Sequence, residues 1–312
     1  MPALTLASTL ALVFKKKTKP PEKTHVSQER RQAFSYLLLL EKETRPMKIL
    51  SIANQKGGVG KTTTAVHLAH WLAMQDYRIL LVDFDAQGHA CLSLGIQKAD
   101  GLFRLMVNDY DIPDVAIEAR PNLHIIQSDK TTNRIKYFMS DQPMREFIIA
   151  NKLSEAEDMY DLVIIDQAPG SDLLQIGSLI ASDSLIVPSR MDQLSLDSVL
   201  EIIGSARSLG KYDSVNPPQL LGVLPNEFDL VTRETLQNVT RLQKAVGKAL
   251  VLPPIPRDTS VREASSRGMT LWEYAPKSRA AIGYENESRI VNSMGRVGGY
   301  LHLCEIVRDT IS

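Results

Sequence analysis

The chain has 312 residues, 44% of them hydrophobic, with 36 basic side chains against 36 acidic ones and so no net charge. That is enough apolar surface to bury a full core; it excludes a disordered chain and a globally polycationic one, so any contact with nucleic acid must come from a local patch. The two cysteines, Cys91 and Cys304, exclude a disulfide framework and any paired-cysteine metal or iron–sulfur site, and point to a reducing cytoplasm.

Residues 1–46 differ from the remainder. An apolar stretch up to Phe14 is followed by Lys15, Lys16, Lys17 and Lys19, then by Pro20 and Pro21, and a helix-like pattern covers residues 28–43. A secretory signal carries its positive charge ahead of the apolar run, and this run is too short to span a bilayer, so neither export nor an integral membrane segment is expected. The sequence predicts a flexible or partly helical extension over 1–46, whose translation is left open, ahead of a single domain over 47–312.

From Met47 on, strands are predicted over residues 48–53, 79–84, 123–127, 162–166, 184–188, 220–224 and 250–255, with helical patterns in most of the gaps. Such alternation predicts an α/β fold: a mainly parallel twisted sheet with helices on both faces, right-handed crossovers, and ligands at the carboxyl ends of the strands.

The first strand runs into Gln55-Lys56-Gly57-Gly58-Val59-Gly60-Lys61-Thr62-Thr63, and a helical pattern follows to Met74. Between a strand and a helix, these glycines let backbone N–H groups approach phosphate oxygens. The helix dipole and Lys61 add positive charge, and the Thr62 hydroxyl suits a Mg²⁺ ion. Gln55 stands where the general phosphate-loop pattern asks for glycine, and Lys56 adds a second lysine. Two further predicted strands end in acid, one at Asp83 with Asp85 just beyond it and one at Asp166, where an α/β protein binds its ligand.

Residues 56–63, KGGVGKTT, resemble the deviant Walker A loop of the ParA/MinD group of P-loop ATPases. Asp83-Phe84-Asp85-Ala86-Gln87-Gly88 resembles that family's Walker A′ sequence, and the run ending Ile164-Ile165-Asp166 resembles its Walker B, although Gln167-Ala168-Pro169 replaces the usual proline pair. Ile255-Pro256-Arg257, Glu263-Ala264 and Tyr274-Ala275-Pro276-Lys277-Ser278-Arg279 resemble the carboxyl-terminal pattern of ParA proteins, with Ser260 where that pattern has arginine. The resemblance runs from Met47 to the end of the chain, and is to ParA/Soj-type chromosome and plasmid partitioning ATPases.

It implies a SIMIBI-type P-loop fold and ATP with Mg²⁺ as cofactors. Gly57, Gly58, Val59, Gly60, Lys61, Thr62 and Thr63 would hold the phosphates, and Pro256 and Arg257 would line the adenine side. Asn226 would serve either the base or a turn of its own backbone. Thr62, Asp85 and Asp166 would attend the metal, with Asp83 a further candidate for its water shell. Lys56, Lys61 and Asp85 would act in catalysis: Asp85 on the attacking water, Lys56 across a homodimer on the partner's nucleotide. Arg262, Arg267, Lys277 and Arg279 are the candidate contacts for non-specific DNA. The implied activity is slow ATP hydrolysis by an ATP-dependent sandwich dimer on nucleoid DNA in the cytoplasm, stimulated by a ParB-like or cargo adaptor protein. Two alternatives share the fold: a MinD-like membrane-associated positioning ATPase, whose basic membrane-binding tail residues 300–312 do not match, with Glu305 and Asp309 against a lone Arg308, and an ATP-dependent small-molecule synthase.

Overall fold

The computed structural model describes residues 46–170, 172–192, 195–212, 215–229, 233–283 and 298–311. Except for Pro46, the extension expected over 1–46 lies outside them.

Seven strands form one sheet: β1 (Lys48–Ile52), β2 (Ile79–Asp83), β3 (Ala116–Arg120), β4 (Leu123–Ile126), β5 (Leu162–Asp166), β6 (Ser184–Arg190) and β7 (Gln219–Asn226), in the spatial order β3-β4-β2-β5-β1-β6-β7. All neighbours are parallel except β3 and β4. The central strands read ILLVD and LVIID and are buried on both faces, which is why they are apolar without alternation. Their register sets Asp83 beside Asp166, and Asp166 beside Ile52 at the end of β1.

The helices are α1 (Lys61–Ala73), α2 (His89–Ser93), α3 (Gly101–Val107), α4 (Ile112–Val115), α5 (Ile135–Ser140), α6 (Ile148–Ser154), α7 (Leu173–Ala181), α8 (Ser195–Ser208), α9 (Arg233–Val246), α10 (Thr259–Ser266), α11 (Leu271–Tyr274), α12 (Arg279–Ile282) and α13 (Gly299–Ile311). On one face of the sheet Leu68 and Leu72 of α1 pack with Leu303 and Val307 of α13 over Leu50 and Ile52. On the other, Leu102, Leu105, Met139 and Ile149 cover Leu80 and Val82. Tyr300 of α13, 2% exposed, stacks on His67 of α1 with ring centroids 4.8 Å apart. Burial drives the His67 pKa down to about 4, so the ring is neutral. Among the described residues no helix is long and apolar enough to cross a membrane.

Two elements depart from the sequence reading. The strand expected over 250–255 is instead a 3-10 turn, Lys248–Leu250, followed by irregular chain with isolated bridges from Val251 to Val223 and from Pro256 to Phe228. Pro253 and Pro254 have no N–H to donate to a ladder, so the segment cannot extend the sheet. The antiparallel edge strand β3 was not predicted; its sequence, AIEAR, has an exposed centre and no apolar run.

Candidate active site

The loop between β1 and α1 is fixed from below. Buried Asn54 donates from Nδ2 to the Pro188 carbonyl at 2.8 Å and accepts the Lys56 N–H at 2.9 Å. Gly58 (φ 70°) and Gly60 (φ 94°) take left-handed conformations that only glycine adopts at low cost. At Gly60 the crowding is decisive as well, because a Cβ there would lie 2.5 Å from Asn226 Nδ2. Asn226, 4% exposed at the end of β7, donates that amide to the Val59 carbonyl at 2.9 Å. Through Nδ2, Asn226 clamps the phosphate loop.

The two lysines diverge. Lys61 is 6% exposed and donates from Nζ to the Lys56 carbonyl at 3.0 Å. Burial lowers its pKa, while Asp166 and Asp85 oppose the shift and keep an ammonium favourable there. Lys56 points the other way. Its Nζ donates to both carboxylate oxygens of Asp192 at 2.8 Å and to Ser195 Oγ at 3.3 Å.

Three carboxylates have three tasks. Asp83 is a brace: its oxygens accept the Asp85 N–H at 2.9 Å and the Ala90 N–H at 3.1 Å, tying the loop after β2 to the start of α2. Burial, with Asp166 beside it, holds its pKa well above the usual carboxylate range. Asp85 is half-buried beyond the strand end, accepts the Gln87 N–H at 2.9 Å, and lines the cavity described below. Asp166 is wholly buried, and neither of its oxygens has a hydrogen bond of full geometry among the described residues. Burial pushes its pKa up to about 7, against the downward pull of the nearby Thr62 hydroxyl and Lys61 ammonium. A buried, unpartnered carboxyl beside a threonine hydroxyl fits the oxygen-rich, water-completed shell of Mg²⁺. Among the described residues no three acidic, histidine or cysteine side chains form a metal-binding cluster.

These groups face a cavity of about 800 Å³. It is lined by residues 57–63, by Gln87, His89 and Ser93, by Val261, Arg262 and Ser265, and by Pro256 and Arg257. The four basic residues grouped by sequence are all exposed. Arg262 faces the cavity, Arg267 stands over the Tyr274 ring with its guanidinium 5.2 Å from the centroid, and Lys277 and Arg279 are exposed, Arg279 beside Asp258.

The wall made by α2 and α10 is held by contacts that no local pattern reveals. Ser93 and Ser265 share a hydrogen bond of 2.9 Å. Arg120 of β3 donates to the Leu94 carbonyl at 3.2 Å, to the Gly268 carbonyl at 3.0 Å and to Glu273 Oε1 at 2.6 Å, binding the ends of both helices to α11. The two turns meet glycine to glycine: a Cβ on Gly268 (φ +67°) would lie 2.4 Å from Gly95 Cα. Gly268→Ala is expected to cost at least about 2 kcal/mol through backbone strain and overlap, read as a lower urea midpoint with an unchanged slope.

A cradle of amides free of side chains, backed by a buried ammonium at a helix start, is a receptor for polyphosphate. With Asp85, just beyond the end of β2, lining the same cavity, the fold and site define a P-loop nucleotide-binding protein. The comparisons agree. A protein-family model described as an AAA domain matches residues 47–217. The sporulation initiation inhibitor protein Soj of Bacillus subtilis (strain 168) is 34% identical over 254 residues, spanning 80% of this chain and 99% of the relative. Among solved structures, apo McdA of Cyanthece covers 74% of this chain and 94% of its own at 25% identity and a TM-score of 0.69. Cobyrinic acid a,c-diamide synthase of Mycobacterium smegmatis, with bound ATP analog and magnesium, covers 71% and 91% at 26% identity and a TM-score of 0.64. The chain belongs to the ParA/Soj family of P-loop ATPases.

Proposed function

We propose that the chain is an ATP-driven assembly switch of the partitioning type. It binds ATP with Mg²⁺, pairs with a second copy as a sandwich dimer, attaches to nucleoid DNA without sequence preference, and hydrolyses ATP slowly until a ParB-like or cargo adaptor accelerates it. The observation that carries this reading is the direction of Lys56. Its ammonium leaves its own phosphate cradle for Asp192 and Ser195, while Lys61 alone charges that cradle. This supports a role for Lys56 toward the nucleotide of a second molecule.

Within one chain the amides of residues 57–63 hold the phosphates. Thr62, with Asp166 and Asp85 acting through water, would hold Mg²⁺, which when bound neutralises charge on the phosphate oxygens. Asp85 orients the attacking water, and Pro256, Arg257 and Asn226 serve the base end. Arg267, Lys277 and Arg279 are the phosphate contacts to DNA. Against a membrane-attached switch stands α13, whose residues Tyr300, Leu303, Cys304 and Val307 are buried in the core and leave no apolar face to insert.

The test uses Asp85→Ala, expected to hold ATP without hydrolysing it. Its binding to random-sequence duplex DNA is measured with Mg-ATP and Mg-ADP at two salt concentrations. ATP-dependent binding is expected, and a dimer neutralising about six phosphates loses about a thousandfold in affinity between about 50 and 200 mM salt. A variant that dimerises with ATP yet ignores DNA in both states overturns the DNA reading and moves the track to a membrane or protein surface.

A further inference from the structure

Four cationic side chains line the cavity, Lys61, Arg190, Arg257 and Arg262, together with the carboxylates of Asp85, Glu227 and Asp258. Two of these are already engaged: Lys61 with the Lys56 carbonyl, and Arg190 with Glu227 Oε1 at 2.6 Å. Arg262 takes part in none of the ion pairs formed among the described residues.

Its direction is set by the helix that carries it. Val261, Arg262 and Ser265 line the cavity, and their spacing puts them on one face of α10. Off that face, Glu263 accepts the Tyr274 hydroxyl at 2.8 Å, while Ser266, one turn beyond Arg262, donates from Oγ to the Arg262 carbonyl at 2.8 Å. Asp258 caps the helix by accepting the Ser260 N–H at 3.0 Å. The Ser93–Ser265 bond, the Arg120 staple and the glycine apposition then fix α10 against α2. Arg262 is presented to the cavity by a braced wall, whereas Arg267 leaves that face for the Tyr274 ring.

We infer, on the nucleotide reading proposed above, that Arg262 is a nucleotide-binding residue whose guanidinium, carried into the shared cavity by α10, contacts the phosphates of a nucleoside di- or triphosphate in its own chain. It therefore does not belong with the DNA contacts. The planar guanidinium fork matches phosphate oxygens and makes charge-assisted hydrogen bonds to them; lysine supplies the charge without the fork.

The experiment measures affinities of the full chain and of Arg262→Ala and Arg262→Lys for ATP, ADP and adenosine, by competition against a fluorescent ADP analogue, with thermal unfolding as the control for folding. Arg262→Ala is expected to weaken ATP and ADP by about tenfold or more and to leave adenosine unchanged, with Arg262→Lys recovering part of the loss. Its DNA binding at saturating ATP should match the wild type. Equal losses for all three ligands, no loss for any, or lost DNA binding with nucleotide affinity intact would each overturn the assignment. A wild-type chain that fails to bind the analogue removes the nucleotide reading itself, a result distinguishable from all of these.

Discussion

ATP affinity is expected to fall by roughly a hundredfold when Lys61 is replaced by alanine. The side chain is the first residue of α1, held against a loop carbonyl where bulk water scarcely reaches, so its charge acts on phosphate oxygens with little screening. Its removal takes away the ammonium and also the counter-charge for Asp166 and Asp85, which would then repel a polyphosphate. Arginine is a poor replacement, because a planar fork does not fit a site shaped around a compact ammonium. Calorimetric titration with Mg-ATP checks the result, and retention of micromolar affinity by Lys61→Ala would break the phosphate-loop assignment.

The second large effect belongs to Asp166→Asn, and it has two parts of opposite sign. Hydrolysis is expected to fall by at least about a hundredfold, because an amide cannot replace a carboxylate in holding the water shell of Mg²⁺. Stability moves the other way at high pH. Burial holds the Asp166 carboxyl at about 7 in the folded chain, above its unfolded value near 4. The stabilising contribution is therefore complete below about pH 4 and is lost as pH rises through about 7. Relative to Asp166→Asn, the ligand-free wild type should lose a few kcal/mol between pH 5 and pH 8, leaving the variant the more stable chain at pH 8. Denaturant unfolding at both pH values measures the difference, and a variant that is no more stable at pH 8 contradicts an unpartnered buried carboxyl.

What the sequence made legible was whatever a local pattern can encode. Residues 162–166 read as a strand ending in acid because a strand buried on both faces must be continuously apolar, and β5 has those bounds. The phosphate loop was legible because glycine spacing between a strand and a helix leaves few other uses for the backbone. What stayed hidden was long-range. Asp192 lies 136 residues from the lysine it pairs with, Arg120 lies 148 from the glycine carbonyl it holds, and Asn226 lies 167 from the loop carbonyl it clamps. Nothing in a window of a dozen residues reports such partners. The place of Arg262 on the cavity was hidden for a related reason, since the direction of a helical side chain depends on which face of the helix is packed. The strand expected over 250–255 fails on a local rule, since Pro253 and Pro254 interrupt an otherwise apolar stretch.

The strand order also has a bearing on how the chain is made. β1 hydrogen-bonds only to β5 and β6, and β2 only to β4 and β5. On a ribosome, the strand that carries the phosphate loop therefore has no sheet neighbour until Leu162–Asp166 has been synthesised and has inserted between β1 and β2. Until then the growing polypeptide holds the glycine loop and its lysines without the strand that seats them or the carboxylate that faces them. Nucleotide capture is thus a late event in the life of the nascent chain, and amino-terminal fragments that stop before β5 carry the most recognisable part of the sequence without a working site.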